Sequence, residues 1–339
     1  MNRHCGFVAV IGPPNAGKST LSNALVGQKV AIVTQKAQTT RMRLRAVVMH
    51  KDAQIILVDT PGIFAAKQRF DRAMVNEAWM GVEDADEVLV VLDAARADTK
   101  EIDLMLDGLA KSKKQASLVI NKIDTVRNDS LLALVQKLNE RVAFKDTFLL
   151  CALSGDGLDR LKDTLADAMP EGPFLYPEDQ AADIPSLLLA SEVMREKLFL
   201  RLHQELPYAL TVETEKWEEK KDGSVRIEQT VYVQRDGQKA IVLGKGGQTI
   251  KEIGAEARTE LEEMFERRVH LFTFVKVRKN WQEDPERYRM LGLDYKVKAH
   301  AVGSRSSGSG SAAPWRKQFH YQCFHPRAWP FWRVGARRQ

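Results

Sequence analysis

Residues 12–19 read Gly-Pro-Pro-Asn-Ala-Gly-Lys-Ser, and this octet narrows the folds open to the chain more than any other stretch. It fits G-x-x-x-x-G-K-[ST], a loop that needs a strand before it and a helix after it. Phe7-Val8-Ala9-Val10-Ile11 supplies the strand, and the amphipathic run from Thr20 to Val26 supplies the helix. Gly12 and Gly17, with Asn15 and Ala16 between them, let the backbone curl so that successive N–H groups point at one anion. The helix beginning near Thr20 adds its positive end. Lys18 offers a point charge to the β- and γ-phosphates of a nucleotide, and Ser19 a hydroxyl to Mg²⁺. The loop alone does not say which nucleotide it holds.

The pattern around it sets the fold class. Strand-like runs recur at Phe7–Ile11, Leu44–Met49, Ile55–Val58, Val88–Leu92, Leu118–Ile120 and Thr147–Leu150, mostly with amphipathic segments between them. That alternation predicts an α/β domain over 1–169, a P-loop fold with a mostly parallel, doubly wound sheet. Leu44–Met49 and Ile55–Val58 lie too close for an intervening helix, so an antiparallel hairpin is expected there. Pro170, Pro173, Pro177 and Pro185 punctuate a stretch without periodicity, which reads as a linker over 170–185. A second, α+β unit is expected over 186–298. It opens with a helix (Leu187–His203), continues with strands at Ala209–Trp217 and Val225–Gln234 around Asp222-Gly223, and ends with two helices and a strand at Val269–Val277.

Composition enters through charge. The chain has 339 residues and a formal net charge of +6. From Ala301 onward all seven charged residues are basic, so the remainder is close to neutral. Any nucleic-acid argument must then rest on local patches. The basic tail over 299–339 has serine/glycine linker composition at Gly303–Gly310, then no strand or helix period, and is expected to be disordered. No apolar run approaches the roughly 20 residues needed to span a bilayer. Three widely spaced cysteines and no signal-like N-terminus point to a cytoplasmic protein.

Two tetrapeptides sharpen the nucleotide. Asp59-Thr60-Pro61-Gly62 follows the strand Ile55–Val58. Asp59 can hold Mg²⁺ directly or through water, and the Gly62 N–H can approach a γ-phosphate because no Cβ intervenes. Asn121-Lys122-Ile123-Asp124 follows Leu118–Ile120. Asp124 accepts two hydrogen bonds from guanine N1–H and N2–H₂, which adenine cannot offer. Asn121 braces the phosphate loop, and the Lys122 stem covers the base. In this order and spacing, residues 5–168 resemble the GTP-binding domain of translation-factor-related GTPases. The resemblance implies that Gln38-Thr39-Thr40-Arg41 is the first switch, with Thr40 preferred over Thr39 as the threonine that closes on Mg²⁺. It places Lys18, Thr40, Asp59 and Gly62 in the catalytic set. It also places Cys151-Ala152-Leu153 at the guanine-contacting loop, where the family has serine in place of Cys151 and the Ala152 N–H meets the base. Ile63 stands where Ras-like enzymes carry a water-orienting glutamine, so hydrolysis is expected to be slow or assisted. In GTPases with this substitution and a phosphate-loop asparagine, K⁺ can replace an arginine finger. Asn15 matches that asparagine; alternatively it only shapes the loop.

The second unit carries Gly244-Lys245-Gly246-Gly247 between two helices. A turn without bulk lets a sugar-phosphate backbone lie against it, and Lys245 and Lys251 add charge. This is the GxxG of a KH fold, which clamps about four nucleotides of single strand. Set in the order α-β-β-α-α-β, it indicates the bacterial type II KH domain. A single GTPase domain followed by an intact KH domain resembles the Era family of bacterial GTPases over about residues 5–298. That resemblance implies a monomer that binds the 3′ end of 16S ribosomal RNA with GTP and Mg²⁺. It also implies work on the 30S subunit and, in some members, peripheral contact with the inner membrane. One phosphate loop and an intact GxxG argue against the tandem-domain ribosome GTPases.

Overall fold

The computed structural model describes residues 3–36, 39–66, 68–97, 99–112, 114–203 and 205–297, together with the backbone of 331–333. The first domain is built on β1 (His4–Ile11), β2 (Leu44–His50), β3 (Ala53–Asp59), β4 (Glu87–Asp93), β5 (Ser117–Asn121) and β6 (Thr147–Leu149). Its helices are α1 (Lys18–Val26), α2 (Arg69–Asp84), α3 (Lys100–Ser112), α4 (Asn128–Arg141) and α5 (Leu158–Ala168). β1 pairs in parallel with β3 and β4, β4 with β5, and β5 with β6. β2 turns back antiparallel on β3, as the short spacing predicts.

The central strands are apolar at nearly every position because both faces are covered. Val8, Val10, Leu57 and Val91 point toward Leu21, Leu25, Leu161 and Leu165 of α1 and α5. Ala9, Ile11, Val90 and Leu92 point the other way, toward α2, α3 and α4. This two-residue alternation sorts one run of side chains into two cores.

The stretch expected as linker is only partly one. Residues 180–185 form β7 (Gln180–Pro185), which extends the sheet beyond β2 through the antiparallel pair Ala46–Ala182. Gln54 secures the approach: its Oε1 accepts from the Leu175 and Tyr176 N–H groups, and its Nε2 donates to Tyr176 O. Proline punctuation hid this strand, since Pro170, Pro173 and Pro177 precede it and Pro185 ends it. Within the tail, 331–333 pair antiparallel with β7 as β11 (Phe331–Arg333). The other tail positions, on which the expectation of disorder falls, lie outside the described residues.

The second domain follows the expected order: α6 (Ser186–Arg201), β8 (Thr211–Glu219), β9 (Val225–Val233), α7 (Asp236–Leu243), α8 (Gln248–Phe265) and β10 (Val269–Val277). β9 lies between β8, antiparallel, and β10, parallel. Val193 and Leu198 of α6 and Ile253, Ala257 and Leu261 of α8 close on Val225, Ile227 and Val231 of the sheet. A terminal helix, α9 (Pro285–Met290), then returns to the first domain. Phe70 and Met74 of α2 share a buried cluster with Trp281, Tyr288 and Leu293. Among the described residues, no helix is long and apolar enough to cross a membrane.

Candidate nucleotide and nucleic-acid sites

The phosphate loop joins β1 to α1 at the C-terminal edge of the sheet, where ligands of open α/β folds gather. A Cβ on Gly12 would stand 2.2 Å from the Val91 carbonyl oxygen, and one on Gly17 (φ +91°) would stand 2.2 Å from Asn121 Nδ2. Gly12→Ala is expected to cost about 3 kcal/mol through this backbone collision. Gly27→Ala, at φ +84° with nothing within 4 Å, should cost only about 1 kcal/mol. Calorimetric melting of the two variants checks the contrast.

Lys18 is buried, and its Nζ donates to Gly12 O at 3.1 Å and Pro13 O at 3.0 Å. Asp59 at the end of β3 is fully buried and accepts from Ser19 Oγ at 2.8 Å. Ser19 Oγ lies 3.0 Å from Thr40 Oγ1. Thr39 turns elsewhere, its hydroxyl donating to Lys36 O at 2.7 Å. The structure thus brings Thr40, not Thr39, beside Ser19, while Gln38 lies outside the described residues. Asp59 Oδ1 is buried without a partner among the described residues. Burial lowers Lys18 to about 8 and raises Asp59 to about 6. Two hydroxyls and an unpaired carboxylate oxygen are the hard donor set a small divalent cation takes, so the residues present fit Mg²⁺.

Thr60 is inward-facing, donating to Val10 O at 2.9 Å. With Pro61 it positions Gly62, whose Cβ would stand 3.1 Å from Pro14 N. Ile63 is buried among Ala9, Ile11 and Ala78, and its N–H donates to Gly12 O at 3.0 Å. Its side chain is core, so it is not the group that orients an attacking water.

Asn121 holds three segments together. Nδ2 donates to Ala16 O at 3.0 Å, while Oδ1 accepts from the Lys122 and Ala152 N–H groups at 2.8 and 3.0 Å. The N–H of Ala152, expected to meet the base, is thus engaged in bracing here. Lys122 Nζ bridges Asn15 O at 2.8 Å and Asp93 Oδ2 at 2.6 Å, drawing its stem across the loop. Asp124 is exposed and accepts no hydrogen bond among the described residues, as a ligand-reading carboxylate requires. Cys151 is buried, and the loop closes on itself through Cys151 N to Asp156 O and Gly155 N to Cys151 O. Its stiffness needs no serine. Leu153 is 87 % exposed at the rim.

The second site lies on α7 and α8. Gly244 (φ +71°) cannot take a Cβ, which would stand 2.0 Å from Thr249 Oγ1. Gly246 (φ +60°) and Gly247 (φ +78°) meet nothing within 4 Å, so the turn presents bare backbone. Lys245 and Lys251 flank it, exposed and without ion pairs among the described residues. The apolar residues divide: Ile253 is core, Leu243 and Ile250 pack against it in part, and Ile241 is 60 % exposed. Lys276 and Arg278 are committed to Glu215 and Asp284. Glu260 of α8 pairs with Lys29 and Lys197.

Comparison with known proteins fits both sites. The model for 50S ribosome-binding GTPases matches residues 7–122, and that for KH domains matches 205–282. GTPase Era of Afipia carboxidovorans is 60 % identical over 291 residues, covering 86 % of this chain and 94 % of that protein. The chain belongs to the Era family. It is a GTPase with a KH domain. GTPase Era of Bradyrhizobium diazoefficiens is 58 % identical over the same length. Among solved structures, an Aquifex aeolicus Era variant bound to GDP and AlF4⁻ superposes with a TM-score of 0.80. It is 36 % identical, and the match covers 85 % of this chain and 99 % of that one. An Era complex with MgGDPNP and nucleotides 1506–1542 of 16S ribosomal RNA gives 0.81 at 36 % identity, covering 86 % and 99 %.

Proposed function

We propose that this Era-family GTPase binds the 3′ end of 16S ribosomal RNA in its GTP state and acts in maturation of the 30S subunit. The observation that carries the reading is the bare, positively flanked turn at Gly246-Gly247 on the same chain as a complete nucleotide site. The likeness to the complex with MgGDPNP and 16S nucleotides supports it. In this reading Asp124 selects guanine, with Asn121, Lys122 and the 151–153 loop framing the base. The N–H groups of Gly12 and of Asn15 to Thr20, with the Lys18 ammonium, hold the phosphates. Ser19, Thr40 and Asp59 hold Mg²⁺, which neutralises charge on the β- and γ-phosphates. The Gly62 N–H faces the γ-phosphate. Closure of Thr40 and of the segment after Gly62 makes the GTP state, and hydrolysis releases it. Sequencing RNA captured with the GTP-loaded protein tests the substrate. Enrichment of the 16S 3′ end is expected, and reads spread evenly over ribosomal RNA would refute it. Co-sedimentation with anionic vesicles tests peripheral membrane contact in the same preparation.

With Ile63 in the core, hydrolysis needs help from another group. We propose K⁺, held beside Asn15. Asn15 Nδ2 donates to Gln35 O at 2.7 Å, while its Oδ1 accepts nothing among the described residues. The Asn15 amide thus lies beside the carbonyl of Gln35, shortly before the first switch. Turnover is expected to be faster in KCl than in NaCl, with the difference lost in Asn15→Ala. Equal wild-type rates in the two salts would sink the idea.

A further inference from the structure

Thr40 and Arg41 are consecutive, yet they serve different domains. The Thr40 hydroxyl reaches Ser19 at the candidate Mg²⁺ site. The Arg41 side chain, 2 % exposed, runs into the junction with the KH domain. There Nη1 donates to Leu210 O at 2.7 Å, and Nη2 donates to Pro207 O at 3.2 Å and Tyr208 O at 3.3 Å. Its guanidinium lies 5.5 Å from the Phe199 ring centre and 5.6 Å from that of Trp281. Trp281, 1 % exposed, donates to Ala209 O at 2.9 Å. It also packs edge-on against Phe70 of α2, the helix that follows the segment after Gly62, at 5.9 Å. One aromatic ring is therefore shared by the first switch, by α2 and by the KH domain.

The same switch segment is held from the α6 side. Arg195, 2 % exposed, donates to the Thr39 carbonyl. Lys36 donates to Phe199 O and Leu202 O at the end of α6. The Val33 N–H donates to Glu196 Oε1 at 2.8 Å. Burial, reinforced by the neighbouring Arg195 charge, pulls Arg41 down to about 9. Arg41 Nε and Arg195 Nη1 are both buried without partners among the described residues. Arg195 pairs with Glu192, whereas Arg41 makes no ion pair among the described residues and relies on carbonyls alone, a costly way to bury a guanidinium.

We propose that Arg41 is the positioning residue that couples nucleotide state to the KH domain: it ties the backbone of the Mg²⁺-sensing Thr40 to the 207–210 segment and the Trp281 ring. This rests on the GTP-switched RNA-binding reading above. When Thr40 leaves the metal site, one peptide bond separates that movement from the arginine seated against KH carbonyls. The KH domain cannot keep the same seat in both nucleotide states. By linkage, whatever the switch does to RNA affinity, bound RNA does to GTP affinity.

The test is the ratio of affinities for a single-stranded 16S 3′-end oligonucleotide with a non-hydrolysable GTP analogue and with GDP. Full-length protein is used, with GDP affinity measured alongside to report an intact site. The wild-type ratio is expected in the range of about 5- to 150-fold. Arg41→Met, which keeps apolar bulk and removes the three carbonyl bonds, should bring it within about twofold of unity while GDP affinity holds. Arg195→Met, which frees the Thr39 carbonyl from the other side, should lower the ratio independently. Lys29→Met breaks ion pairs to Glu196 and Glu260 at the same junction, away from Thr40, and should keep the wild-type ratio. A wild-type ratio in Arg41→Met and Arg195→Met overturns the coupling role alone, as does an equal loss in Lys29→Met. A wild type with no nucleotide dependence overturns both this role and the reading beneath it.

Discussion

Asp124→Asn is expected to exchange the protein's preference for GTP for one toward xanthosine triphosphate. The carboxylate is exposed and has no internal partner, so its two acceptor oxygens are available to guanine N1–H and N2–H₂. An amide offers one acceptor and one donor, which suits xanthine, whose C2 position carries an oxygen instead of an amine. Sites built around such hydrogen bonds reject a mismatched ligand by on the order of 10⁴-fold. A change of that order in the ratio of the two affinities is expected, read by competition against labelled GDP. The fold should be untouched, since no described residue hydrogen-bonds the side chain. A variant that still prefers GTP would remove Asp124 from the base-reading role.

Gly246→Asp is expected to abolish RNA binding while leaving GTP binding intact. At φ +60° the position is left-handed, a conformation aspartate adopts more readily than most residues. Nothing lies within 4 Å of a Cβ there, so the domain can accept the side chain. What it adds is a negative charge where a phosphate would approach bare N–H groups and Lys245. Charge-assisted contacts of this kind contribute about 1.5–3 kcal/mol, a loss of about 10- to 150-fold before repulsion is counted. Gly244→Ala is the contrasting variant, because its Cβ collides with Thr249 and distorts the turn itself. Full affinity of Gly246→Asp for a 16S 3′-end oligonucleotide would mean that the RNA lies elsewhere.

The nucleotide site was readable because its parts are local. Lys18, Asp59, Asn121 and Asp124 each sit in a short motif at the end of an apolar strand, and strand ends converge at one edge of a parallel sheet. The GxxG was readable for a similar reason, as glycines between two helical patterns. Thr40 and Thr39 could not be separated with confidence by residue type, because adjacent threonines differ only in which way the backbone turns them. The junction between domains left no local mark at all. Arg41, Phe70 and Trp281 belong to three distant segments, and no period or spacing links them. Lys29 likewise hid the role of Glu260, which looks like a solvated helix charge until a lysine from the other domain is placed against it. β7 was obscured by Pro185 and the prolines before it, and only its pairing with β2 reveals it as a strand.

The cluster that joins α2 to Trp281, Tyr288 and Leu293 also bears on the birth of the molecule. A nascent chain is made from its N-terminus, and its domains fold as they emerge. β1 to β6 and α1 to α5 of the GTPase domain are complete by Ala168, but the residues that cover Phe70 and Met74 come only after β10. At about 5–20 residues per second, that gap lasts on the order of ten seconds. For that interval a folded domain carries an apolar face that its own chain has yet to supply. During synthesis that patch is open to chaperones and to premature association, and it closes only when the C-terminal segment arrives.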